Sequence, residues 1–384
     1  GIKSAGGADL VLIEVVEGTR CAAVVAGNAC WAAPGRVARE QLRWCGGRRR
    51  VLVLQSGNAI AGRGAAGLAS GGASVEAVAA AGGVDADRVL PFSTGVIGEP
   101  LPVHLIEAAL PDALLALSAD GWHDAAQGIL TTDTRPKTYT VTFACAGRDY
   151  TVTGIAKGAG MIRPDMATML AYIATDAAVD GDLLQALLAE CAELSFNRIT
   201  VDGDTSTNDA CVLLATGEAG NEPLASPGDA LYAALHGAIE AVCVVLAQAI
   251  VRDGEGASKF VTVQVNGGRS EEECLGVAFT IAHSPLVKTA LFASDPNWGR
   301  VLAAIGRAGL PDLRVEGVSL YLNEVLIAEG GGRAASYTEE QGVAAMAPQD
   351  IVIRVELGRG DDSAEVWTTD LSYDYVKINA EYRT

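Results

Sequence analysis

Apolar residues recur along this chain in two rhythms. Valine-rich runs of strand length at residues 10–16, 51–54, 139–143, 150–155, 260–265 and 351–357 predict β-strands. The runs at 139–143 and 150–155 are separated by Ala-Cys-Ala-Gly-Arg-Asp, which predicts a hairpin. Between the strands, Leu183, Leu184, Leu187, Leu188, Cys191 and Leu194 follow the three-to-four-residue spacing of one buried helix face. Residues 229–251 read as a long alanine-rich helix, almost wholly buried. Ser284-Pro285 supplies an N-cap and a proline at the first helical position, opening a helix that runs to Phe292. Alternating strands and helices of this kind predict an α/β fold.

With 384 residues, 49% of them hydrophobic and 20% charged, the chain can bury a large core and is long enough for two or three structural units. A formal charge of −19 argues against a nucleic-acid partner or an anionic membrane surface. The one basic cluster, Arg48-Arg-Arg50, abuts the strand at 51–54 and reads as a solvated strand entry. Eight cysteines show no CxxC pair, and Cys243 lies in an apolar run, the setting of a small buried hydrophobe. The histidines are scattered away from the cysteines, so no metal is expected, and the pattern fits a reduced, cytoplasmic protein. No run of 18 uninterrupted apolar residues occurs, and Gly1-Ile-Lys-Ser does not open a signal peptide. The missing initiator methionine points to the loss of a short leader or tag. Glycine-rich 62–67 and 70–73 lack the lysine and the spacing of a phosphate loop.

The segment richest in chemistry is Lys157-Gly-Ala-Gly-Met-Ile-Arg-Pro-Asp-Met-Ala-Thr-Met-Leu170. Standing alone, an Ala-Thr pair in an apolar run is an ordinary strand threonine. If the Ala167–Thr168 bond were cut, however, Thr168 would gain a free α-amine with a reference pKa of roughly 8. That amine is close enough to its own hydroxyl to act as general base, so one covalent event creates both nucleophile and base.

The whole segment resembles the self-cleavage region of the ornithine acetyltransferase (glutamate N-acetyltransferase) family of arginine biosynthesis. Leu90-Pro-Phe-Ser-Thr-Gly-Val-Ile-Gly-Glu99, Thr131-Thr-Asp-Thr134, Phe196-Asn-Arg-Ile-Thr-Val-Asp-Gly-Asp-Thr-Ser-Thr-Asn-Asp209, Asp295-Pro-Asn-Trp-Gly-Arg300 and Asp374-Tyr-Val-Lys-Ile-Asn-Ala-Glu-Tyr-Arg-Thr384 resemble further blocks of that family, in its order. The resemblance implies a layered sheet-and-helix sandwich with a smaller second domain. It also implies self-cleavage into an α chain, 1–167, and a β chain, 168–384, which stay interlocked, with two αβ pairs per molecule.

The reaction it implies is acetyl transfer from N-acetyl-L-ornithine to L-glutamate through an acetyl-enzyme on Thr168. No cofactor is needed, although acetyl-CoA is a possible second donor. Thr94 and Gly95 would form the oxyanion hole, where a preorganised donor is typically worth roughly 3 kcal/mol of barrier. Thr134, Lys157, Thr168, Glu255, Asn379 and Thr384 would bind substrate, Lys157 pairing with a carboxylate and Glu255 with an ammonium group. Residues 295–300 read as a structural turn with no catalytic role.

The chain also departs from the family pattern, carrying Gln55 and Ile60 where asparagine is usual. Loss of an amide at Ile60 removes a possible hydrogen-bond partner near the expected cleft, which bears on how substrate or acetyl-CoA is used. Two other readings compete. A self-processing aminopeptidase or amidase would use the same nucleophile with water as acceptor, and hydrolysis of N-acetylornithine without glutamate would reveal it. A non-catalytic amino-acid-binding homologue would never self-cleave, and the intact Ala167-Thr168 and Thr94-Gly95 pairs count against it.

Overall fold

The computed structural model describes residues 8–25, 28, 30–44, 50–163 and 169–381. Ala167, Thr168, Thr384, Cys45, Arg48 and Arg49 lie outside the described residues. The chain forms two compact units, one built mainly from residues 1–197 and 204–250, the other from 198–203 and 251–382. The boundary therefore falls near residues 198 and 251, whereas the expected cut at 167/168 lies inside the first unit.

The first unit holds two sheets. Leu10–Glu14, Val51–Asn58 and Val89–Val96 form a three-stranded sheet with Val51–Asn58 in the middle. Arg20–Val25, Ala210–Ala215, Leu170–Thr175, Arg148–Lys157 and Lys137–Cys145 form a five-stranded sheet in that order. One apolar layer joins them, since Leu52, Leu90 and Phe92 of the first sheet cluster with Ile155, Tyr172 and Val212 of the second. The outer face of the three-stranded sheet, Val51, Val53 and Val89, is covered by Val75 and Val78 of the helix Gly64–Gly82 and by Ile106 and Leu110 of the helix Val103–Leu115. Helices also cover the other sheet. At Gly154 a β-carbon would come within 3.0 Å of Val242 and Leu246, so glycine lets the long helix lie directly on the strand. The result is a helix–sheet–sheet–helix sandwich, the α/β layering expected from the sequence.

Several expected elements take a sharper form. The hairpin closes with only Ala146 and Gly147 between strands, both at positive φ (50° and 74°). That is the two-residue turn whose twist matches a right-handed strand pair. The helix Gly181–Glu193 buries Leu184, Leu187, Leu188 and Cys191 as its spacing requires, while Leu194 falls just past its end and is exposed. The helix Ala230–Arg252 is not wholly buried. Its residues 235, 238, 239, 242, 243, 246, 247 and 250 face inward, whereas Ala233, Gly237, Ala241 and Val245 are exposed. Alanine and glycine raise its apolarity on both faces, which hid the one-sided pattern from the sequence. It is long and apolar enough to cross a membrane, yet half of its most apolar window is buried within the protein.

The second unit is a six-stranded sheet in which Phe260–Gly268 lies between Asp350–Glu356, parallel to it, and Asp362–Thr369, antiparallel. Its helix Pro285–Phe292 is capped by Ser284, whose side chain accepts from the Val287 N–H, as Ser284-Pro285 predicts. Asn297 likewise caps Trp298–Gly306, so the Asp295–Arg300 block is a helix start.

Candidate active site

Strand pairing in the first unit brings three chain segments to one line. Lys157, the last residue of its strand, pairs with Leu170, and Leu170 pairs with Ala210 on the next strand. The residues just before these strand starts, Met169 and Asp209, therefore sit side by side. In the other sheet Val89–Val96 runs parallel to Val51–Asn58, with Ser56 opposite Thr94 and Gly57 opposite Gly95.

Glycine is required at 95. Its φ is +124°, and a β-carbon there would lie 2.7 Å from Gly57 Cα and N. Backbone atoms cannot yield, so the close approach of the two strands at Thr94-Gly95 depends on this glycine. The strand is fastened from the side by Asn208, whose amide donates to Ala59 O (2.6 Å), Ser93 O (3.0 Å) and Ser93 Oγ (2.9 Å).

Lys157 is buried, with 5% of its surface exposed, and its Nζ lies 3.4 Å from Thr94 Oγ1. A buried ammonium needs counter-charges. Asp133 is one: its side chain is fully enclosed, it pairs with Lys137 at 2.7 Å, and it accepts from the Gly158 N–H at 2.7 Å and the Thr131 N–H at 3.1 Å. Burial alone would raise the Asp133 pKa, but the charges of Lys157 and Lys137, with hydrogen bonds from Lys137 and Gly158, hold it well below the usual carboxylate range. Asp209 is another acid near Lys157. It accepts from the Met169 N–H, yet burial raises its pKa well above the ordinary value, against the pull of Lys157 and that hydrogen bond. Its Oδ2 is buried without a hydrogen-bond partner among the described residues.

Of the expected site residues, the first unit thus brings together Thr94 and Lys157, with Gly95 beside Thr94. Thr134 is exposed next to Asp133. Glu255 and Asn379 meet in the second unit. Glu255 is 8% exposed and accepts from Asn379 Nδ2 at 2.7 Å, and the same amide donates to Tyr375 O at 3.0 Å. The helix Tyr373–Glu381 that carries Asn379 buries none of its residues. It is held by polar contacts and close backbone approach. A β-carbon at Gly256 would lie 2.5 Å from Ser372 Oγ and the Tyr375 nitrogen, and Tyr375 donates to Asp202 at 3.2 Å. The tail docks, as expected, and Tyr373 adds an edge-to-face contact with Phe292, their ring centroids 5.5 Å apart.

Asn208, Asp209 and Asp133 are residues to which sequence reasoning gave no role. All three lie within family-like blocks, at Thr-Asn-Asp209 and Thr-Thr-Asp-Thr134, so the signal was their acid or amide chemistry inside those blocks. Ile60 has φ +51° in a buried apolar cluster, and its N–H donates to Asn58 Oδ1 at 2.8 Å. The left-handed conformation suits asparagine better than a β-branched residue. Gln55 donates to Asn58 O, and its Oε1 is buried without a hydrogen-bond partner among the described residues. A cavity of about 800 Å³ opens elsewhere in the first unit, beside the strand Leu10–Glu14 and Trp122, and none of the expected site residues lines it.

The family model described as the ArgJ family matches residues 1–384. A Pseudomonas syringae pv. tomato protein named arginine biosynthesis bifunctional protein ArgJ is 57% identical over 384 residues, covering all of this chain and 94% of the relative. A Methylococcus capsulatus protein of the same name is 57% identical over 383 residues, covering 100% of this chain and 93% of its own. The solved structure of the Bacillus halodurans protein argJ is 39% identical with a TM-score of 0.52, covering 55% of this chain and 98% of that one.

Proposed function

The chain belongs to the ArgJ family, and from that membership and the site geometry we infer that it is an acyltransferase of arginine biosynthesis. It moves acetyl from N-acetyl-L-ornithine to L-glutamate, giving L-ornithine and N-acetyl-L-glutamate. The relatives are named bifunctional, and the second activity proposed here is synthesis of N-acetylglutamate from acetyl-CoA and glutamate.

In this mechanism the Ala167–Thr168 bond is cut by the chain itself, leaving Thr168 at the start of a β chain. The Thr168 hydroxyl attacks the acetyl carbonyl while its own α-amine takes the proton. Thr94 Oγ1 and the Gly95 N–H stabilise the oxyanion, and collapse of the tetrahedral adduct returns a proton to the departing ornithine amine. Glutamate then takes the acetyl group by the reverse path. Thr134, Lys157, Glu255, Asn379 and Thr384 are assigned to substrate binding, Lys157 as partner of a carboxylate and Glu255 as partner of an ammonium group. No step calls for a metal or cofactor. We place the enzyme in the cytoplasm, as two αβ pairs, a setting in which its buried free thiols remain reduced.

The observation that carries this reading is the approach of buried Lys157 to Thr94, on the segment that leads into the Ala167–Thr168 bond. Incubation with N-acetylornithine alone tests the reading. One acetyl group should appear on the β chain at Thr168, and two-substrate kinetics should give parallel double-reciprocal lines. Intersecting lines with no acetylated β chain would mean direct transfer in a ternary complex. Release of acetate at the same rate without glutamate would mean an amidase.

A further inference from the structure

Glu255 stands on a short connection, residues 253–259, between the helix Ala230–Arg252 and the strand Phe260–Gly268. Connections ordinarily run over the surface, yet Asp253 and Glu255 are both buried. One carboxyl group anchors the end of this segment. Asp370 is 3% exposed and follows directly on the strand Asp362–Thr369. It accepts from the Ser258 N–H at 2.8 Å, the Lys259 N–H at 2.9 Å and the Ser258 hydroxyl at 2.5 Å. Thr369 beside it donates to the Lys259 carbonyl at 2.7 Å. Lys288 lies at the same corner: its ammonium donates to Thr368 Oγ1 and the Thr369 carbonyl, and the charges of Asp370 and Asp202 act on it.

Asp370 is also the root of the C-terminal helix. Two residues lead from it into Tyr373–Glu381. The Leu371 N–H donates to the Lys288 carbonyl at 3.2 Å, and Ser372 Oγ accepts from the Tyr375 N–H at 3.1 Å. Gly256 packs against this turn, and farther along the helix the Asn379 amide reaches Glu255 at 2.7 Å. The helix buries none of its residues, so its place against the Glu255 connection depends on contacts at its root. Asp370 belongs to both parts, joined to the helix through the chain and to the connection through its side chain.

We propose that Asp370 is a positioning residue for substrate recognition: by clasping residues 258 and 259 to the root of the C-terminal helix, it fixes Glu255 in register with Asn379 and so sets selection of an acetylated donor that carries a free ammonium group. This rests on Glu255 being the ammonium partner. The carboxyl group touches no substrate itself. It acts through the backbone of the segment that carries Glu255, and hydrogen bonds from backbone N–H groups to a carboxylate are among the strong, directional ones. A carboxylate side chain reads an ammonium group well only when its own position is fixed beforehand.

The test compares kcat/KM for N-acetyl-L-ornithine with kcat/KM for N-acetyl-L-norvaline, which has the same carbon chain and no ammonium group. Their ratio reports ammonium recognition alone, since a loss of folded protein lowers both values and leaves the ratio unmoved. Glu255→Gln should lower the ratio about tenfold or more, the worth of a charged hydrogen bond. Asp370→Ala should lower it about as far. Asp370→Asn should keep it near the parent value, because the amide oxygen still accepts both backbone N–H groups and the amide nitrogen donates to Ser258 Oγ. A ratio that falls in Glu255→Gln and stays unmoved in Asp370→Ala would overturn the proposal and leave the Glu255 assignment standing. So would Asp370→Asn falling as far as alanine. If Asp370→Ala gives no soluble protein, Ser258→Ala takes its place, because residue 258 is exposed. With one donor lost its ratio should fall about threefold, and no fall would overturn the proposal. Failure of the underlying assignment has a different signature: an unmoved ratio in Glu255→Gln, which takes the proposal down with it.

Discussion

Lys157 reaches from the five-stranded sheet of the first unit to within 3.4 Å of Thr94 Oγ1 on its three-stranded sheet. The lysine thus couples the proposed oxyanion hole to the segment that carries the proposed nucleophile. Lys157→Met keeps most of the apolar stem and removes the charge. We expect kcat/KM to fall at least tenfold, since a charged hydrogen bond contributes about 1.5–3 kcal/mol. The acid limb of the profile should move to higher pH, because a nearby cation disfavours protonation of the amine and its removal makes the amine more basic. Steady-state kinetics between pH 5 and 9 check both, and an unmoved limb would separate Lys157 from the base.

Gly95 and its neighbour Gly98 form a matched pair of substitutions. Both have positive φ, but a β-carbon at 95 would run into Gly57 backbone, while one at 98 has nothing within 4 Å. Gly98→Ala should cost only the conformational penalty, about 1–2 kcal/mol. Gly95→Ala must also force neighbouring strands apart and should cost appreciably more, with loss of soluble or active protein. Thermal unfolding of the two variants compares them directly, and equal shifts would contradict the close approach.

Another buried lysine sets an alkaline dependence of stability. Lys288 is 3% exposed, and its ammonium donates to Thr368 Oγ1 at 3.1 Å and to the Thr369 carbonyl. Desolvation lowers its pKa to about 8, against the attraction of Asp370 and Asp202. An ordinary lysine titrates near 10.4. Between these values the unfolded chain binds the extra proton, so stability contributed at this position rises from about pH 8 to about pH 10 and is flat below. The rise should reach up to about 3 kcal/mol. Urea unfolding at pH 7.5 and 9.5 measures it, and Lys288→Met should flatten the slope relative to the parent.

The tail helix is proposed to serve substrate and not cleavage. Asn379→Ala removes the amide that holds Glu255, and deletion of Thr384 removes the last proposed contact. Each should lower kcat/KM by about tenfold or more while leaving β-chain formation unchanged. Full activity in both would reduce the tail to a structural strap.

Much of this was legible in the chain. Periodicity located the helix Gly181–Glu193, because leucines on one face contrast with polar residues opposite. It misjudged Ala230–Arg252, where alanine and glycine erase that contrast. The blocks around Thr94 and Lys157 marked where chemistry would gather, but their proximity comes from sheet packing between residues 63 positions apart, which no local pattern encodes. Nothing in the local sequence marks Lys157 and Glu255 as buried charges, and both are buried. The reason each can be buried lies in partners distant along the chain: Asp133 beside Lys157, and Asn379 on Glu255. Asp209 was visible as a residue, but its burial, with no hydrogen-bond partner for Oδ2 among the described residues, exists only in three dimensions.

The central claim is that one bond, Ala167–Thr168, is cut by the chain itself to create the nucleophile. Intact-mass measurement of the purified protein under denaturing conditions, beside its Thr168→Ala variant, tests this most directly. Two polypeptides are expected from the parent, the larger starting at Thr168 and gaining one acetyl group on exposure to N-acetylornithine, and a single uncut, inactive chain from the variant. A parent that turns over as one unbroken polypeptide would contradict the account.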